Sequence, residues 1–364
     1  MMTKTTITPF EATHPGTLIK DELEVRNDIS QKDLAKEMGV KASFLNEIIK
    51  GKRPLTADYA IILEKILEIP ADYWLRFQAQ YEIDKARIKQ KNIDRIRNIE
   101  IWEIIKKYVP IKYFKKFNYL SDSLEKDIQA ILNIYGISTI DGLVNSVARN
   151  KFSLYRKSEK LQLDEMNLLA WYSIAIYEAN HQNVNAFHLD CMDKLCIALN
   201  QLFFTNHQTI ENTKRVLNQF GVKFIIVPKL DKTPIDGFAF WSNENPAIAL
   251  TIRHNRIDNF AFTVMHEIGH IALHLSKNKH TEFIDFHKDR HESIVEKEAN
   301  LFAINKLIPE SIWNKIALYE FPINDDIILD LGLRFKINPA IIQGRICFEI
   351  DSYAIKTTIN KTLF

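Results

Sequence analysis

The sequence has little of what marks exported or membrane-bound proteins. Its three cysteines, Cys191, Cys196 and Cys347, are too few and too irregularly spaced for a disulfide framework or a cysteine-based zinc site. No apolar run approaches the roughly 18 residues that a membrane span requires. The N-terminus also lacks the basic and apolar regions of a signal peptide. We therefore expect a cytoplasmic protein that does not associate with a membrane.

An excess of charge is also absent, since 48 basic residues face 46 acidic residues and the net charge is only +2. Overall charge therefore indicates no nucleic-acid partner, and any affinity for DNA must come from a local patch. The length of 364 residues exceeds what one hydrophobic core usually covers, which predicts more than one domain. The content of 46% hydrophobic and 26% charged residues is typical of folded globular domains.

Hydrophobic periodicity predicts an α+β protein that is mostly α-helical. Residues 15–80 alternate short amphipathic segments with turn signals, which predicts a bundle of about five helices. Residues 81–117 predict one or two long helices that break at Pro110, and a further helical pattern runs to about Thr205. We divide the chain into an N-terminal domain at 12–82, a helical linker or middle region at 83–205 and a C-terminal domain at 206–364.

The sequence pattern changes after Val222. Short β-branched and aromatic runs, separated by Pro, Asp-Gly and Asn-Pro, predict a small antiparallel sheet in this part of the chain. Helices are predicted to follow at 259–276 and 293–308, and residues 311–364 are predicted to form a helical cap.

Residues 262–274 contain an HExxH motif within an apolar helical pattern. Residues four apart share one helix face, so the imidazoles of His266 and His270 can bind one zinc ion. Glu267 would lie beside the ion without binding it, where it can act as general base on a water that zinc activates. The motif therefore predicts a zinc-dependent hydrolytic centre.

A zinc ion of this kind needs a third protein ligand and an open fourth position. The metzincin solution is excluded, because Ser276 stands where that class has its third histidine. A downstream glutamate is the remaining common choice, and we predict Glu296. Asn300 shares the helix face of Glu296 and is predicted to support a ligating imidazole. Glu298, by contrast, is predicted to point into solvent.

Other polar residues near the motif receive weaker predictions. His274 lies one turn after the motif and is predicted to support or pack against the site without binding metal. Arg253 or His254, at the end of a predicted edge strand, are candidates to stabilise the oxyanion of the reaction. Three further histidines are predicted to be surface or lid residues, namely His280, His287 and His291.

Residues 30–54 have the spacing of a helix-turn-helix. Ser30 is the predicted N-cap of the first helix, Leu34 faces inward, and Gly39 supplies the turn between the helices. The inner face of the second helix is predicted to be buried through Phe44, Leu45 and Ile48.

Between Ser30 and Arg53, six basic residues stand against three acidic residues, and this local charge of +3 suits contact with phosphates. Short polar side chains of the second helix suit base edges in the major groove, although a solvated helical face is the alternative. A homodimer is expected on operator DNA, because one module covers too little DNA for specific affinity. The predicted DNA-binding residues are Gln31, Lys41, Ala42, Ser43, Asn46, Lys50, Lys52 and Arg53.

Two segments resemble known families. The stretch from His14-Pro-Gly to about Glu82, including ADYWLRFQAQYEID, resembles HigA-type regulators of the XRE helix-turn-helix family, the antitoxins of toxin-antitoxin modules. Residues 222–310, with RHNRIDNFAFTVMHEIGHIALH and EKEANLFAINKLIP, resemble the ImmA/IrrE metallopeptidases, and residues 331–345 resemble the helical cap of that family. Lys306-Leu-Ile-Pro departs mildly from the leucine-rich ending of the family's last helix.

The resemblance implies a zincin-like C-terminal domain in which His266, His270 and Glu296 hold Zn²⁺ and Glu267 is catalytic. Members of the ImmA/IrrE family cleave or inactivate repressors, which implies a protein substrate or a cognate toxin as partner. Our leading hypothesis is a DNA-binding regulator fused to a zinc endopeptidase. The alternative is a non-enzymatic antitoxin and autorepressor whose metal site is structural or sensory. An open fourth metal position favours the first hypothesis, and a closed one favours the second.

Overall fold

The computed structural model describes residues 11–26, 28–143, 164–286 and 293–364. The chain divides into two compact units, residues 1–103 and residues 104–364. No helix in the described ranges is long and apolar enough to cross a membrane. The predicted histidines His287 and His291 lie outside the described residues. The domain limits predicted at 82/83 and 205/206 stay predictions.

The first unit contains five helices between residues 15 and 88, where the sequence predicts about five within residues 15–80, followed by most of one further long helix. These helices are α1 (Pro15–Val25), α2 (Gln31–Glu37), α3 (Ala42–Ile49), α4 (Ala57–Leu67) and α5 (Ala71–Ile88), and α6 (Gln90–Tyr108) crosses the division between the units.

Local sequence explains the helix-turn-helix of α2 and α3. The Ser30 hydroxyl accepts a hydrogen bond from the Asp33 amide at 3.2 Å, and the Asp33 carboxylate accepts one from the Ser30 amide at 3.3 Å. This reciprocal cap satisfies amide groups that the first turn of a helix leaves without partners. Gly39 follows with φ +68°, a backbone conformation that costs glycine little. Leu34 and Leu45 are fully buried between the two helices.

Phe44 departs from the prediction that it is buried with Leu45 and Ile48. It is half-buried, its ring packs against Tyr59 with centroids 5.0 Å apart, and the Arg53 guanidinium lies 4.6 Å above it. Phe44 therefore lies at the edge of the helix-turn-helix core, where one face of its ring contacts the Arg53 guanidinium.

The second unit begins with helices that precede a single sheet. Pro110 separates α6 from the next helix, as the sequence predicts, because proline cannot donate a backbone hydrogen bond inside a helix. The helices up to the sheet include, among the described residues, α7 (Ile111–Lys116), α8 (Leu124–Ile134), α9 (Glu165–Asn180), α10 (Met192–Thr205) and α11 (Thr209–Gln219).

The sheet has four strands in the order β1-β3-β2-β4. The strands are β1 (Lys223–Ile226), β2 (Ile235–Ser242), β3 (Asn245–Leu250) and β4 (Phe283–Phe286). Strand β2 is antiparallel to both of its neighbours, as predicted, but β1 is parallel to β3. The prediction of an antiparallel sheet is wrong for this pair, because the β2–β3 hairpin is inserted so that β3 lies between β1 and β2.

Helix α12 (Ile257–His270) lies in the centre of the second unit and packs against the sheet and against α13 (Ile294–Leu307). Val264, Met265 and Ile268 belong to the main hydrophobic core. Gly269 permits the approach of α13, because a Cβ atom there would lie 3.2 Å from the Ala299 backbone. The apolar positions of the HExxH segment therefore bury the helix that carries the motif.

The C-terminal cap contains α14 (Glu310–Ile316), α15 (Asp325–Phe335) and α16 (Pro339–Glu349). The prediction of a helical cap to the C-terminus is wrong beyond α16. There the chain continues without helix and Thr362 forms a β-bridge with Arg256, just before α12. This bridge ties the end of the chain to the start of the central helix.

We expect Gly16→Ala to destabilise the first unit. A Cβ atom at this position of α1 would lie 2.6 Å from the Ile49 carbonyl oxygen at the end of α3, so the helices must separate. Overpacking of this kind costs about 1–3 kcal/mol. Urea unfolding of the full chain measures the effect, with Thr17→Ala, an exposed position on the same helix, as control. Equal stabilities of the two variants would contradict the close approach of α1 and α3.

Candidate functional site

Helix α12 brings three polar side chains of the HExxH motif into the protein interior. His266 is 3% exposed, His270 is 1% exposed, and Glu267 has no exposed surface. The two imidazoles share one helix face, and their Nε2 atoms lie 3.0 Å apart. Buried polar groups of this kind need polar partners, so the surrounding side chains decide what the motif can do.

Helix α13 supplies the third group. Ser293 caps its N-terminus, and the Oε2 atom of Glu296 lies 3.2 Å from the His266 Nε2 atom and 3.5 Å from the His270 Nε2 atom. Burial works to raise the pKa of Glu296, but hydrogen bonds from the two imidazoles lower it to about 2. The carboxylate is therefore ionised at neutral pH and presents a negative charge to the space between the three groups.

The three ligand atoms fit a tetrahedral metal ion. Zinc–nitrogen and zinc–oxygen bonds of about 2.0–2.2 Å place neighbouring ligand atoms about 3.3 Å apart around a tetrahedron. The separations here are 3.0, 3.2 and 3.5 Å. Two imidazoles and one carboxylate are also a donor set that zinc accepts in hydrolytic sites. His266, His270 and Glu296 could therefore hold one metal ion, as their grouping indicates.

The Glu267 carboxyl group lies against β2, and one of its oxygens is within 4.8 Å of a ring nitrogen of His266. A side chain at Gly237 of β2 would overlap the Glu267 carboxyl group, with the added Cβ atom 2.7 Å from its Cδ atom. Both Glu267 carboxyl oxygens are buried and have no hydrogen-bond partner among the described residues. Burial raises the pKa of Glu267 well above its usual value, and the negative charges of Asp285 and Glu296 add to the effect. Burial thus favours the neutral form of this carboxyl group, and its carboxylate form is a stronger base than that of an exposed glutamate.

Two side chains contact the outer nitrogens of the imidazoles. Asn300 of α13 places its Oδ1 atom 2.9 Å from the Nδ1 atom of His266. His274 lies in a π-helical turn, Ile271–Leu275, that continues α12, and its Nδ1 atom is 3.2 Å from that of His270. Partners of this kind fix the tautomer and the orientation of a ligating imidazole. The structure thus places both residues where the sequence analysis expects support for the ligands.

The surroundings shift the pKa values of the two imidazoles, His266 and His270, in opposite directions. Burial lowers the pKa of His270, and this effect outweighs its hydrogen bond to Glu296. Burial acts in the same direction on His266, but the hydrogen bond to Glu296 and the charge of Asp285 raise its pKa overall. A metal ion requires both rings to be neutral, so it has to displace a proton more often from His266 than from His270.

The prediction for Glu298 is correct in part. Its side chain is 55% exposed, as expected for a solvated carboxylate, but its Oε2 atom lies 2.9 Å from the Nε2 atom of His274. Helical spacing alone does not reveal this contact, because it joins two helical segments that are 24 residues apart in the sequence.

Strand β4 contributes two residues that the sequence analysis missed. The Phe283 ring stacks on the His270 imidazole with centroids 4.6 Å apart and an angle of 9° between the rings. Asp285 pairs with Gly237 across the strands, and its carboxylate groups with His266 and Glu267 within 4.8 Å. The run Phe-Ile-Asp-Phe at 283–286 carries a strand signal, but its four residues are short for recognition by periodicity.

The predicted oxyanion residues take other roles or none that the structure defines. The Arg253 guanidinium pairs with Asp236 and donates to the carbonyl oxygen of Ile235 at 3.0 Å. These contacts hold the guanidinium at the start of β2 through its Nε and Nη2 atoms. His254 lies beside it, in a small cavity of about 50 Å³. His280 is exposed, in agreement with a surface position.

The predicted DNA-binding residues form part of the outer surface of the helix-turn-helix. Asn46 is partly buried, and the others are exposed, namely Gln31, Lys41, Ala42, Ser43, Lys50, Lys52 and Arg53. Arg53 forms an ion pair with Glu47, with 2.8 Å between the Nη2 and Oε2 atoms. This pair offsets one positive charge of the surface, whereas Lys50 at the end of α3 extends into solvent.

Comparison with protein families matches two parts of the chain. Residues 19–74 match a helix-turn-helix family, and residues 217–346 match the IrrE N-terminal-like domain. The second match contains both α12 and α13, and hence all the residues of the candidate metal centre.

Individual proteins resemble the N-terminal part. Virulence-associated protein I of Dichelobacter nodosus is 32% identical over 97 residues, which cover 25% of this chain and 90% of that protein. The HTH-type transcriptional regulator YbaQ of Escherichia coli K12 is 27% identical over 90 residues, covering 24% of this chain and 80% of the regulator.

Solved structures of antitoxins are similar to the same part. The addiction module antidote protein of the HigA family from Coxiella burnetii is 31% identical, covers 24% of this chain and 95% of its own, and has a TM-score of 0.22. The antitoxin HigA of Pseudomonas aeruginosa, solved with the higBA promoter, is also 31% identical, with 24% and 91% covered and a TM-score of 0.22. The helix-turn-helix part of the chain therefore belongs to the same family as these helix-turn-helix proteins, and the chain joins it to a part, residues 217–346, that matches the IrrE N-terminal-like domain.

Proposed function

We propose that the protein is a DNA-binding regulator whose second unit is a zinc-dependent endopeptidase. The observation that carries this proposal is the meeting of His266, His270 and Glu296 at 3.0–3.5 Å beside the buried, unpartnered carboxyl group of Glu267. The three groups supply the charge and the geometry for one ion, and Glu267 supplies a base that no protein donor occupies among the described residues.

A bound zinc ion activates water and polarises a peptide carbonyl group. The chain's own residues supply the remaining chemistry. Glu267 accepts the proton of the attacking water and passes it to the nitrogen atom of the leaving amine. Asn300 and His274 hold the two imidazoles in place, so that the nitrogen atoms that would bind the metal keep their positions during the reaction.

The substrate that we propose is a protein that acts on the same genes as the regulator. A helix-turn-helix places the peptidase at an operator, where a repressor, a cognate toxin or a second copy of this chain would be within reach. We further propose that the regulator binds its operator as a homodimer in the cytoplasm, because one module spans too little DNA for specific affinity. The similarity of residues 19–74 to regulators and antitoxins supports this view.

A non-enzymatic regulator with a structural or sensory metal site is the second candidate, and Asp285 is the observation that favours it. The carboxylate lies within 4.8 Å of the ligand atom of His266. A modest movement of β4 would allow Asp285 to take the fourth metal position, and a fully protein-bound zinc ion does not activate water.

We expect the purified chain to bind about one zinc ion and the His266→Ala, His270→Ala variant to bind none, because two of three ligands are lost. Glu267→Gln should retain zinc and lower peptide-bond cleavage by about 100-fold or more, the contribution of a general base. Metal analysis gives the first result. Mapping of new protein N-termini in cell extract gives the second, with the exposed Glu320→Gln as control. An unchanged set of new N-termini with Glu267→Gln would rule out the peptidase.

The fourth ligand separates the two candidates. X-ray absorption of the zinc-loaded chain should give two imidazoles, one protein carboxylate and one solvent oxygen, and Asp285→Ala should leave this set unchanged. Replacement of a carboxylate by solvent in the Asp285→Ala spectrum would instead identify a closed, non-hydrolytic site.

For DNA, we expect Asn46→Ala with Lys50→Ala to weaken binding to the region upstream of the chain's own gene by about tenfold or more. The salt dependence of binding should decrease by about one phosphate contact, because Lys50 is lost. Fluorescence anisotropy at several salt concentrations measures both quantities. Lys65→Ala, an exposed lysine of α4, serves as control and should change neither. Wild-type affinity in the double variant would show that α3 does not contact DNA.

A further inference from the structure

A cavity of about 610 Å³ lies in the second unit, between the end of α6, helix α7 and the loop that follows β1. Most of its wall comes from residues 106–117, which lie outside the two segments that match known families, 19–74 and 217–346. The metal centre does not use this cavity, and neither family explains it. Its size falls within the range of about 300–1,000 Å³ that is typical of small-molecule sites.

The cavity wall is rich in positive charge. Four lysines line it, namely Lys106, Lys112, Lys116 and Lys229, against the single carboxylate of Asp231 among the described lining residues. Four positive charges and one negative charge leave a local excess of +3. Within the described parts of the chain, Lys112, Lys116 and Lys229 form no ion pair with a carboxylate. A concave surface with charge of one sign raises the local concentration of the opposite ion.

The rest of the wall is apolar and aromatic. Val109 and Leu230 are buried, and the rings of Tyr113 and Phe117 pack with centroids 4.6 Å apart. The Tyr113 hydroxyl donates a hydrogen bond to the Pro228 carbonyl oxygen at 2.7 Å, which fixes α7 to the loop after β1. The cavity therefore combines a cationic side with an aromatic side.

We propose that this cavity binds an aromatic polyanion of the nucleoside polyphosphate class. Three lysines without ion-pair partners suit a ligand that carries several negative charges in a small volume. A single carboxylate group carries too few charges to pair with all three. The half-buried rings of Tyr113 and Phe117 suit a flat, mostly apolar group such as a base. A ligand with both parts satisfies both sides of the cavity, whereas inorganic phosphate or a free nucleoside satisfies only one.

Isothermal titration of the full chain with ATP tests the proposal. The titration uses the His266→Ala, His270→Ala background, so that phosphate groups cannot bind a metal ion at the other site. We expect one saturable ATP site per chain, and binding weaker by about tenfold or more with either adenosine or tripolyphosphate, because each lacks one set of contacts.

A matched pair of double variants locates the site. Lys112→Glu with Lys229→Glu should weaken ATP binding by about tenfold or more, the loss expected when charged hydrogen bonds are removed. Lys107→Glu with Lys115→Glu makes the same change in net charge at exposed lysines that do not line the cavity, and should change the affinity by less than about twofold.

Three results would overturn the proposal. The first is no saturable ATP binding in the parent chain. The second is an equal loss of affinity in the two double variants, which would indicate diffuse attraction to a basic surface. The third is tripolyphosphate binding as tight as ATP binding, which would exclude a role for the aromatic wall. Circular dichroism spectra of all variants confirm that the compared chains are folded.

Discussion

The burial of α12 is the constraint on which the second unit depends. Its apolar residues fill the main core, yet the same helix carries two imidazoles and a carboxyl group into that core. Moving such groups out of water is costly unless they find partners. Helix α13 supplies partners for the two imidazoles through Glu296 and Asn300, and the close approach of the two helices at Gly269 makes these contacts possible. The packing of α12 against α13 therefore forms both the hydrophobic core and the polar centre.

The polar contacts extend outward from the ligand atoms. The His270 imidazole contacts His274, whose other nitrogen contacts Glu298 at the surface. This chain of groups connects the buried imidazole to a carboxylate at the surface. The Phe283 ring of β4 also stacks on the His270 ring. The polar contacts and the aromatic ring together fix the imidazole plane.

Much of this arrangement follows from the sequence, because helical spacing is a strong geometric signal. A separation of four residues places His266 beside His270, and the same rule places Asn300 one turn from Glu296. The five helices of the first unit and the break at Pro110 were equally predictable, since caps, glycine and proline act locally. The roles of His266, Glu267, His270 and Glu296 in metal binding and catalysis stay predictions.

What the sequence did not reveal depends on contacts between distant segments. The parallel pairing of β1 with β3 depends on where the β2–β3 hairpin inserts, which no local pattern encodes. Strand β4 is too short for its periodicity to be distinctive, so Phe283 and Asp285 were missed. Arg53 shows the same limit on the first unit, because its ion pair with Glu47 forms only when the chain turns back after α3.

Gly237 lies 30 residues before Glu267 in the sequence, yet the carboxyl group rests directly on it. Any other residue at this position would place a Cβ atom 2.7 Å from the Glu267 Cδ atom and force the carboxyl group to move, while the HExxH sequence stays unchanged. The HExxH signature alone therefore does not report where its glutamate lies, whereas the residue under that glutamate does.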